Sequence, residues 1–529
     1  MYMDFEERER RKKRQFIKVV IAEVGMVIAT VSVVIVSTLA SMGFFVASDG
    51  TIEQSGLIQI HSIPTGATVD LDGSTLFPRT NLSRTLAPGK HNIRLTKNGY
   101  DEWSKDVAVY SGLLTRLYYP RLFLLGRTTA RVMELGEELD FYSIANDHTN
   151  ALYAEKKSTS WQFLSIKGDD VQRSVLDVSR ILPEVHEIEK SGEKEFNGQV
   201  RVVEWSKDND YVLLDVLVAE KREWILMSLK NLGESLNLTA TFGLNFEKVE
   251  MIDGLANQLY ALENGHLRKI KTADQSISRV LLDGLSDFAS DGLEVVYVAK
   301  RGSEASDDLE QVIGVYRDGE KSGTVVSHAN RDAAVKVGLS EYYGASYIVF
   351  IIDKFATVYY GTIPSYRENV NETDFSGMKS LVQGVELTDV PDSLSMSLEG
   401  EYCVAKKGQQ MMVIDVDTGD IYEYRVEDGT SVGWLNEAMM YGVKDGGLMV
   451  WDFDYTNRRL LVEKVEAKQM GTKEPVAVGG IKVEKSVTTK SSSKVLQYQV
   501  MISSDSKWLY YVVQLESSKI DLVREKIRD

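Results

Sequence analysis

One cysteine in 529 residues is the first limit on this chain. Cys403 alone excludes a scaffold stapled by disulfides and any zinc site built on two or more thiolates. It sits in the strand-like run Glu401-Tyr402-Cys403-Val404-Ala405, where a small buried hydrophobe is expected. Proline is scarce too, at 8 residues, against 40 glycines and 25 tyrosines. That balance suits many short strands joined by tight turns. The six histidines, His61, His91, His148, His186, His266 and His328, never pair at metal-ligand spacing, so no zincin motif exists. No phosphate-binding glycine loop occurs. No Gly-x-Ser-x-Gly nucleophile elbow is expected, and the separate α/β domain that a propeller-linked serine hydrolase also needs would find no room in the chain. The sequence therefore nominates no catalytic residue, no cofactor and no metal ligand.

Positive charge is short beyond the N-terminus. Residues 1–23 hold 7 Lys/Arg and 5 Asp/Glu, and the remainder holds 54 basic against 73 acidic residues. A surface this acidic repels phosphate backbones and argues against a nucleic-acid partner. Charge of either sign is absent between Val24 and Val46, as is proline. Those 23 residues are enough to cross a hydrocarbon core of about 30 Å. The basic run Arg8-Glu9-Arg10-Arg11-Lys12-Lys13-Arg14 precedes them, and after them the next basic residue is Arg79. The asymmetry predicts a cytoplasmic N-terminal tail (1–18), an uncleaved signal-anchor helix (19–47) and extracytoplasmic domains. A cleaved signal peptide is the competing reading, but its apolar core would run only about 7–15 residues.

Residues 55–125 read as short alternating strands. Leu57-Ile58-Gln59-Ile60-His61-Ser62 and Ala67-Thr68-Val69-Asp70-Leu71 come first, the second closed by the turn Asp72-Gly73. Lys90-His91-Asn92-Ile93-Arg94-Leu95, the turn Asn98-Gly99, Val107-Ala108-Val109-Tyr110 and Thr115-Arg116-Leu117-Tyr118 follow. Gly56, Pro64-Thr65-Gly66-Ala67, Asp72-Gly73, Pro78, Leu86-Ala87-Pro88-Gly89-Lys90-His91 and Lys97-Asn98-Gly99-Tyr100 together resemble the PEGA domain, a small β-sandwich of bacterial surfaces. Thr65 stands where the family motif has Glu. The resemblance implies an envelope module and brings no catalytic residues with it.

Beyond residue 127 a pattern returns about every 50 residues: an apolar strand, a polar turn, then a Tyr-containing apolar strand. The clearest copies are Val203-Glu204-Trp205-Ser206-Lys207-Asp208 with Tyr211, Met396-Ser397-Leu398-Glu399-Gly400 with Tyr402, and Met501-Ile502-Ser503-Ser504-Asp505 with Trp508. Weaker copies centre on Tyr142 with Tyr153, Met251 with Tyr260, Ser290 with Tyr297, Leu339 with Tyr347, and Trp434 with Tyr441. The spacing predicts a β-propeller over 127–529 with eight blades, or seven if one weak copy is a loop. It resembles the degenerate propellers of bacterial envelope proteins. The segment from Arg127 to Leu135 is a candidate for closing the last blade, and 466–494 reads as a polar loop insertion.

The fold class expected is thus all-β, a PEGA-like sandwich plus a propeller, on one transmembrane helix. Asp415-Val416-Asp417-Thr418-Gly419-Asp420 superficially suggests a calcium loop, but it lacks the bidentate Glu at the twelfth position and reads as a hairpin turn. Asp70-Leu71-Asp72-Gly73 reads the same way. Tyr342, Tyr343, Tyr359 and Tyr360 fit a binding face or blade packing equally well. The expected function is a non-enzymatic, membrane-anchored envelope protein whose propeller binds a protein or glycan partner. An envelope hydrolase acting on glycan or peptide through acidic residues of the channel is the alternative. A structural role in wall or surface-appendage assembly is a third.

Overall fold

The computed structural model describes residues 3–46, 50–168, 170–187, 194–302, 310–366, 377–463, 493–515 and 519–529. The chain divides into two compact units, Met1–Leu125 and Gly126–Asp529.

The first unit opens with a helix over Met3–Ser41, whose span Glu9–Ser41 is long and apolar enough to cross a membrane. The sequence placed the end of this helix at residue 47, but it stops at Ser41. Gly43 takes φ +82°, a conformation that only glycine adopts cheaply, and Phe44–Val46 is a strand paired with Ile52–Gln54. Phe-Phe-Val is a strand-forming run, so the apolar stretch extends beyond its own helix.

The rest of the unit is two packed sheets. One has the order Leu82–Leu86, Gly56–Ile60, Leu114–Leu117; the other runs Ser74–Thr75, Thr68–Leu71, Gly89–Thr96, Trp103–Val109. Ile58, Ile60, Val69, Ile93, Leu95, Trp103 and Val109 meet between them in a single core. The sequence missed Leu82–Leu86. Only its end residues face inward, so this edge strand carries little apolar alternation. Asp72 (φ +49°) and Gly73 (φ +80°) make the hairpin turn read at that position.

The second unit is a β-propeller of antiparallel sheets, four-stranded except for the five-stranded one that closes the ring. Seven are contiguous in sequence: 139–177, 199–237, 248–277, 285–329, 335–386, 393–425 and 431–462. The eighth joins the two ends of the unit. Thr129–Gly136 pairs with Ile520–Lys526, which pairs with Trp508–Leu515, and Ser493–Val495 and Met501–Ile502 complete the inner edge. The expected closing segment is therefore that sheet's outer strand. The polar insertion expected at 466–494 lies outside the described residues, except that Ser493 and Lys494 belong to a strand paired with Leu515 and Gln514.

Each sequence landmark falls on the hairpin between the first and second strand of one sheet. The hydrophobic cores lie between sheets and not within them. Phe141, Leu152 and Trp161 of the first sheet pack on Trp205, Leu214 and Ile225 of the second. Leu213 and Trp224 of the second pack on Val249 and Leu259 of the third, and the eighth sheet packs on the first through Met501, Tyr510, Tyr142 and Tyr153. One sheet alone would leave both faces wet, so the ring is the unit of stability.

The serine that recurs in the clearest copies, Ser206, Ser397 and Ser503, has a local cause. Ser206 N donates to Tyr211 O (2.9 Å), Tyr211 N returns to Ser206 Oγ (2.9 Å), and Ser206 Oγ donates to Asp208 (2.5 Å). Ser503, Trp508 and Asp505 repeat all three bonds at 2.8, 2.9 and 2.5 Å. Ser397 and Tyr402 repeat the first two at 2.7 and 2.9 Å. The residue three after each serine, Asn209, Ser506 or Gly400, takes the left-handed conformation the turn requires. The motif is thus a hairpin lock.

Candidate functional site

First strands of successive sheets border one another, and the charged residues that alternate with their buried ones gather there. In the third sheet Lys248 and Glu250 alternate with buried Val249 and Met251. A cleft of about 430 Å³ opens over three of these strands, lined by Arg201 and Val203 of the second sheet, Lys248 and Glu250 of the third, and Ser286 and Asp287 of the fourth. Lys248 Nζ spans Glu250 (3.0 Å) and Asp287 (3.2 Å) and lies 4.9 Å from the centre of the Phe288 ring. Burial lowers its proton affinity, but the two carboxylates outweigh burial and hold its pKa above the ordinary value. Lys248 is therefore a fixed cation. On the second sheet Asp215 is 8% exposed and is bracketed by Arg201 (2.8 Å) and Arg222 (3.1 Å).

Carboxylates also stitch sheet to sheet. Glu204 accepts Met251 N (2.9 Å), Glu250 accepts Ser290 N (3.0 Å) and Oγ (2.7 Å), and Asp291 accepts Glu341 N (2.5 Å). Glu437 accepts Glu399 N (2.5 Å) and Glu401 N (2.9 Å). Burial pushes Glu204 up to about 7, partly offset by the Met251 N–H, and raises Asp291 and Glu437 as well. These groups join sheets by accepting from backbone N–H groups of the neighbouring sheet's first strand or of the turn that follows it. Sequence reasoning did not single out Lys248, Glu204 or Glu250, although their period-two alternation with Val249, Met251 and Trp205 carries the signal.

A second cluster lies on the sixth sheet. Glu401 is pushed up to about 7 by burial and then by the charge of Asp415, while hydroxyls of Tyr342 and Tyr402 hydrogen-bond to it and pull the other way. Asp415, raised to about 6 by burial, accepts Asp417 N (2.9 Å) and Thr418 N (3.0 Å). Its strand, Gln410–Asp415, pairs with Ile421–Arg425, so 415–420 is a hairpin turn. Trp451, Met449 and Tyr455 line a smaller cleft of about 200 Å³ on the seventh sheet, with Glu427 and Lys444 among its polar residues.

The four tyrosines named from sequence are not brought to one face. Tyr359 stacks on Phe350 and Tyr360 on Tyr347, in two different inter-sheet cores. Tyr343 is 65% exposed, its ring edge-on to Tyr342 at 4.5 Å. The histidines stay apart. His61 lies on Tyr118 (4.3 Å), His91 bonds Asp72 (2.7 Å), and His148 donates to Ile502 O (2.9 Å). Cys403 is fully buried. Among the described residues no group of three His, Cys, Asp or Glu side chains is placed to hold a metal ion. The Gly-x-Ser-x-Gly spacing expected to be absent does occur once in the sequence, at Gly429-Thr430-Ser431-Val432-Gly433. Ser431 opens the strand Ser431–Asn436 with no helix behind it, so the strand-to-helix turn is missing.

Comparison with known proteins adds a family to the first unit. Residues 55–120 match the PEGA domain. No curated protein matches the sequence. Among solved structures the chain is similar to the Dos1 propeller, at 12% identity and a TM-score of 0.40, covering 75% of this chain and 95% of that one. It is similar to apo AztD from Citrobacter koseri at 10% identity and a TM-score of 0.36, covering 75% and 94%. An oligogalacturonate lyase in complex with manganese gives 11% and 0.36, covering 65% and 96%.

Proposed function

We propose that this chain is a membrane-anchored, extracytoplasmic bacterial envelope protein whose propeller binds a protein or glycan partner without catalysing a reaction. The observation that carries this reading is the Lys248 cleft. Lys248, Glu250 and Asp287, on the first strands of the third and fourth sheets, are held by one another, and Arg201 of the second sheet by Asp215, which fits recognition better than proton transfer. The acidic propeller, with 66 Asp/Glu against 46 Lys/Arg from residue 126 on, favours partners that carry basic groups. The N-terminal helix supplies the tether, and its basic flank the orientation.

The test uses the full chain in lipid nanodiscs against a glycan array and a fractionated envelope extract. A specific ligand that is retained by the wild type and lost by Lys248→Glu supports the reading. A ligand retained equally by both overturns the cleft as the recognition site.

One observation favours the hydrolase alternative. Glu401, raised to about 7 beside two tyrosine hydroxyls, has the tuning of a general acid. Asp415 and Glu437, the carboxylates whose charges act on it, are occupied by backbone N–H groups. Cleavage of an envelope glycan or peptide by the full chain, abolished in Glu401→Gln, would replace the binding reading with this one.

A further inference from the structure

The first unit has an exposed apolar collar at the end from which the helix departs; Phe77 and Leu125 are exposed singly elsewhere on it. The chain leaves the helix at Ser41, makes the short hairpin of Phe44–Val46 with Ile52–Gln54, and comes straight back. Ser55 N and Oγ both donate to Gly43 O, at 2.8 and 2.6 Å, and Gln54 Nε2 donates to Met42 O at 3.1 Å. The first core strand of the module starts at the next residue, Gly56. A Cβ on Gly56 would stand 2.4 Å from Tyr110 O, so only glycine lets the 110–113 turn close against the helix exit. Gly112 N donates to Ser55 O (3.1 Å) and Leu57 N to Leu113 O (3.0 Å), which fixes that turn there.

Around this junction Ile52 is 66% exposed, Leu57 37%, Tyr110 50%, Leu113 60% and Leu114 36%. Five large apolar or aromatic side chains facing outward together on so small a module call for a covering surface. Exposed Lys90 lies nearby, because its neighbour Gly89 pairs with Val109. The module is also the basic part of the protein outside the N-terminal tail, with 8 Lys/Arg and 5 Asp/Glu over 55–125. An apolar collar that carries a tyrosine and is edged by a lysine has the composition that favours the boundary between acyl chains and headgroups.

We infer that the helix-proximal end of the PEGA module is seated in the outer interface of the bilayer, with Ile52, Tyr110, Leu113 and Leu114 at acyl-boundary depth and Lys90 at anionic headgroups. The inference rests on the reading of the N-terminal helix as a bilayer-crossing anchor. The helix then does more than tether: its exit is hydrogen-bonded to the module and brings the collar to the membrane surface. The opposite end of the module, at Asn98, is about 25 Å away at roughly 3.3 Å per residue along Gly89–Thr96, and stands clear of the bilayer.

The test uses the full chain, in a Cys403→Ala background, reconstituted in phosphatidylcholine and phosphatidylglycerol vesicles. An environment-sensitive fluorophore is placed at Leu113→Cys or at Asn98→Cys, and vesicle flotation is measured on the same samples. Lipids bearing a nitroxide near the headgroup are expected to quench most of the Leu113 signal and little of the Asn98 signal. A chain that floats with the vesicles while both probes answer only to aqueous iodide overturns the seating and leaves the anchor standing. A chain that fails to float overturns the anchor and the seating with it. Tyr110→Ser and Leu114→Ser together, in the chain labelled at Leu113, are expected to return its emission toward that of the Asn98 probe. An unchanged spectrum in this variant contradicts a role for the collar.

Discussion

The module and the propeller solve the same packing problem in opposite ways. The module closes one core between two sheets, and all of its residues come from one 70-residue stretch. The propeller places its cores between neighbouring sheets and depends on a strand at residue 129 meeting one that ends at residue 526. Charge divides along the same line, basic in the module and acidic in the propeller. Loss of one large core side chain should therefore stay local in the first unit, while loss of one closure contact should loosen the whole ring of the second.

Substitutions can break or sharpen this contrast. The largest effect is expected from Trp103→Ala. Trp103 is fully buried in the single module core, and its loss should destabilise that unit by about 3–5 kcal/mol. Denaturant unfolding followed by hydrogen exchange should show the module's amides losing protection while those of the propeller keep it. Protection lost equally across both units would contradict their independence.

A smaller effect is expected at the closure. Asp521, 1% exposed, meets Arg131 at 2.6 Å across the pairing of Ile520–Lys526 with Thr129–Gly136. Arg131→Ala leaves that carboxylate buried and unpaired. Because the arginine is half exposed, about 2 kcal/mol is expected. Hydrogen exchange should increase in the first and eighth sheets together. An increase confined to 129–136 would argue that the ring tolerates an open seam.

The smallest effect is one of pH. Folded Glu204 holds its proton up to about 7, whereas the unfolded chain releases it near the ordinary 4.5. Between those values the folded state binds more protons, so its stability falls as pH rises through the window and is level above it. Glu204→Gln keeps an acceptor for Met251 N–H without titrating. The variant should match the wild type near pH 4 and exceed it at pH 8, by about 1 kcal/mol after allowance for solvent access. Thermal unfolding at both pH values measures it, and equal curves throughout would remove the assignment.

Much of this architecture is legible in the residues themselves. Ser206, Ser397 and Ser503 recur because a hairpin lock needs a small hydroxyl at that point, so the motif marked the sheets without homologues to compare. The PEGA turns were legible for a similar reason, since Asp72-Gly73 and Asn98-Gly99 encode their own geometry. Leu82–Leu86 escaped because an edge strand with two inward residues has almost no period. The helix end was misplaced because apolarity and helicity part company at Gly43. The cleft was beyond reach for a different reason. Arg201, Lys248 and Asp287 lie 47 and 39 residues apart, and only the packing of successive sheets brings them together. The Glu401 cluster is hidden in the same way, because Tyr342 reaches it from the preceding sheet.

Partner recognition at the Lys248 cleft is the proposal on which the functional reading stands. The most direct measurement places a photo-cross-linking residue at Ser286, on the cleft wall, in the full-length chain expressed in cells, with a second probe at the exposed Glu220 turn as reference. One dominant cross-linked product is expected from Ser286, absent from the Glu220 probe and lost when Lys248→Glu is added. Identical products from both probes, or a Ser286 product that survives Lys248→Glu, would contradict it.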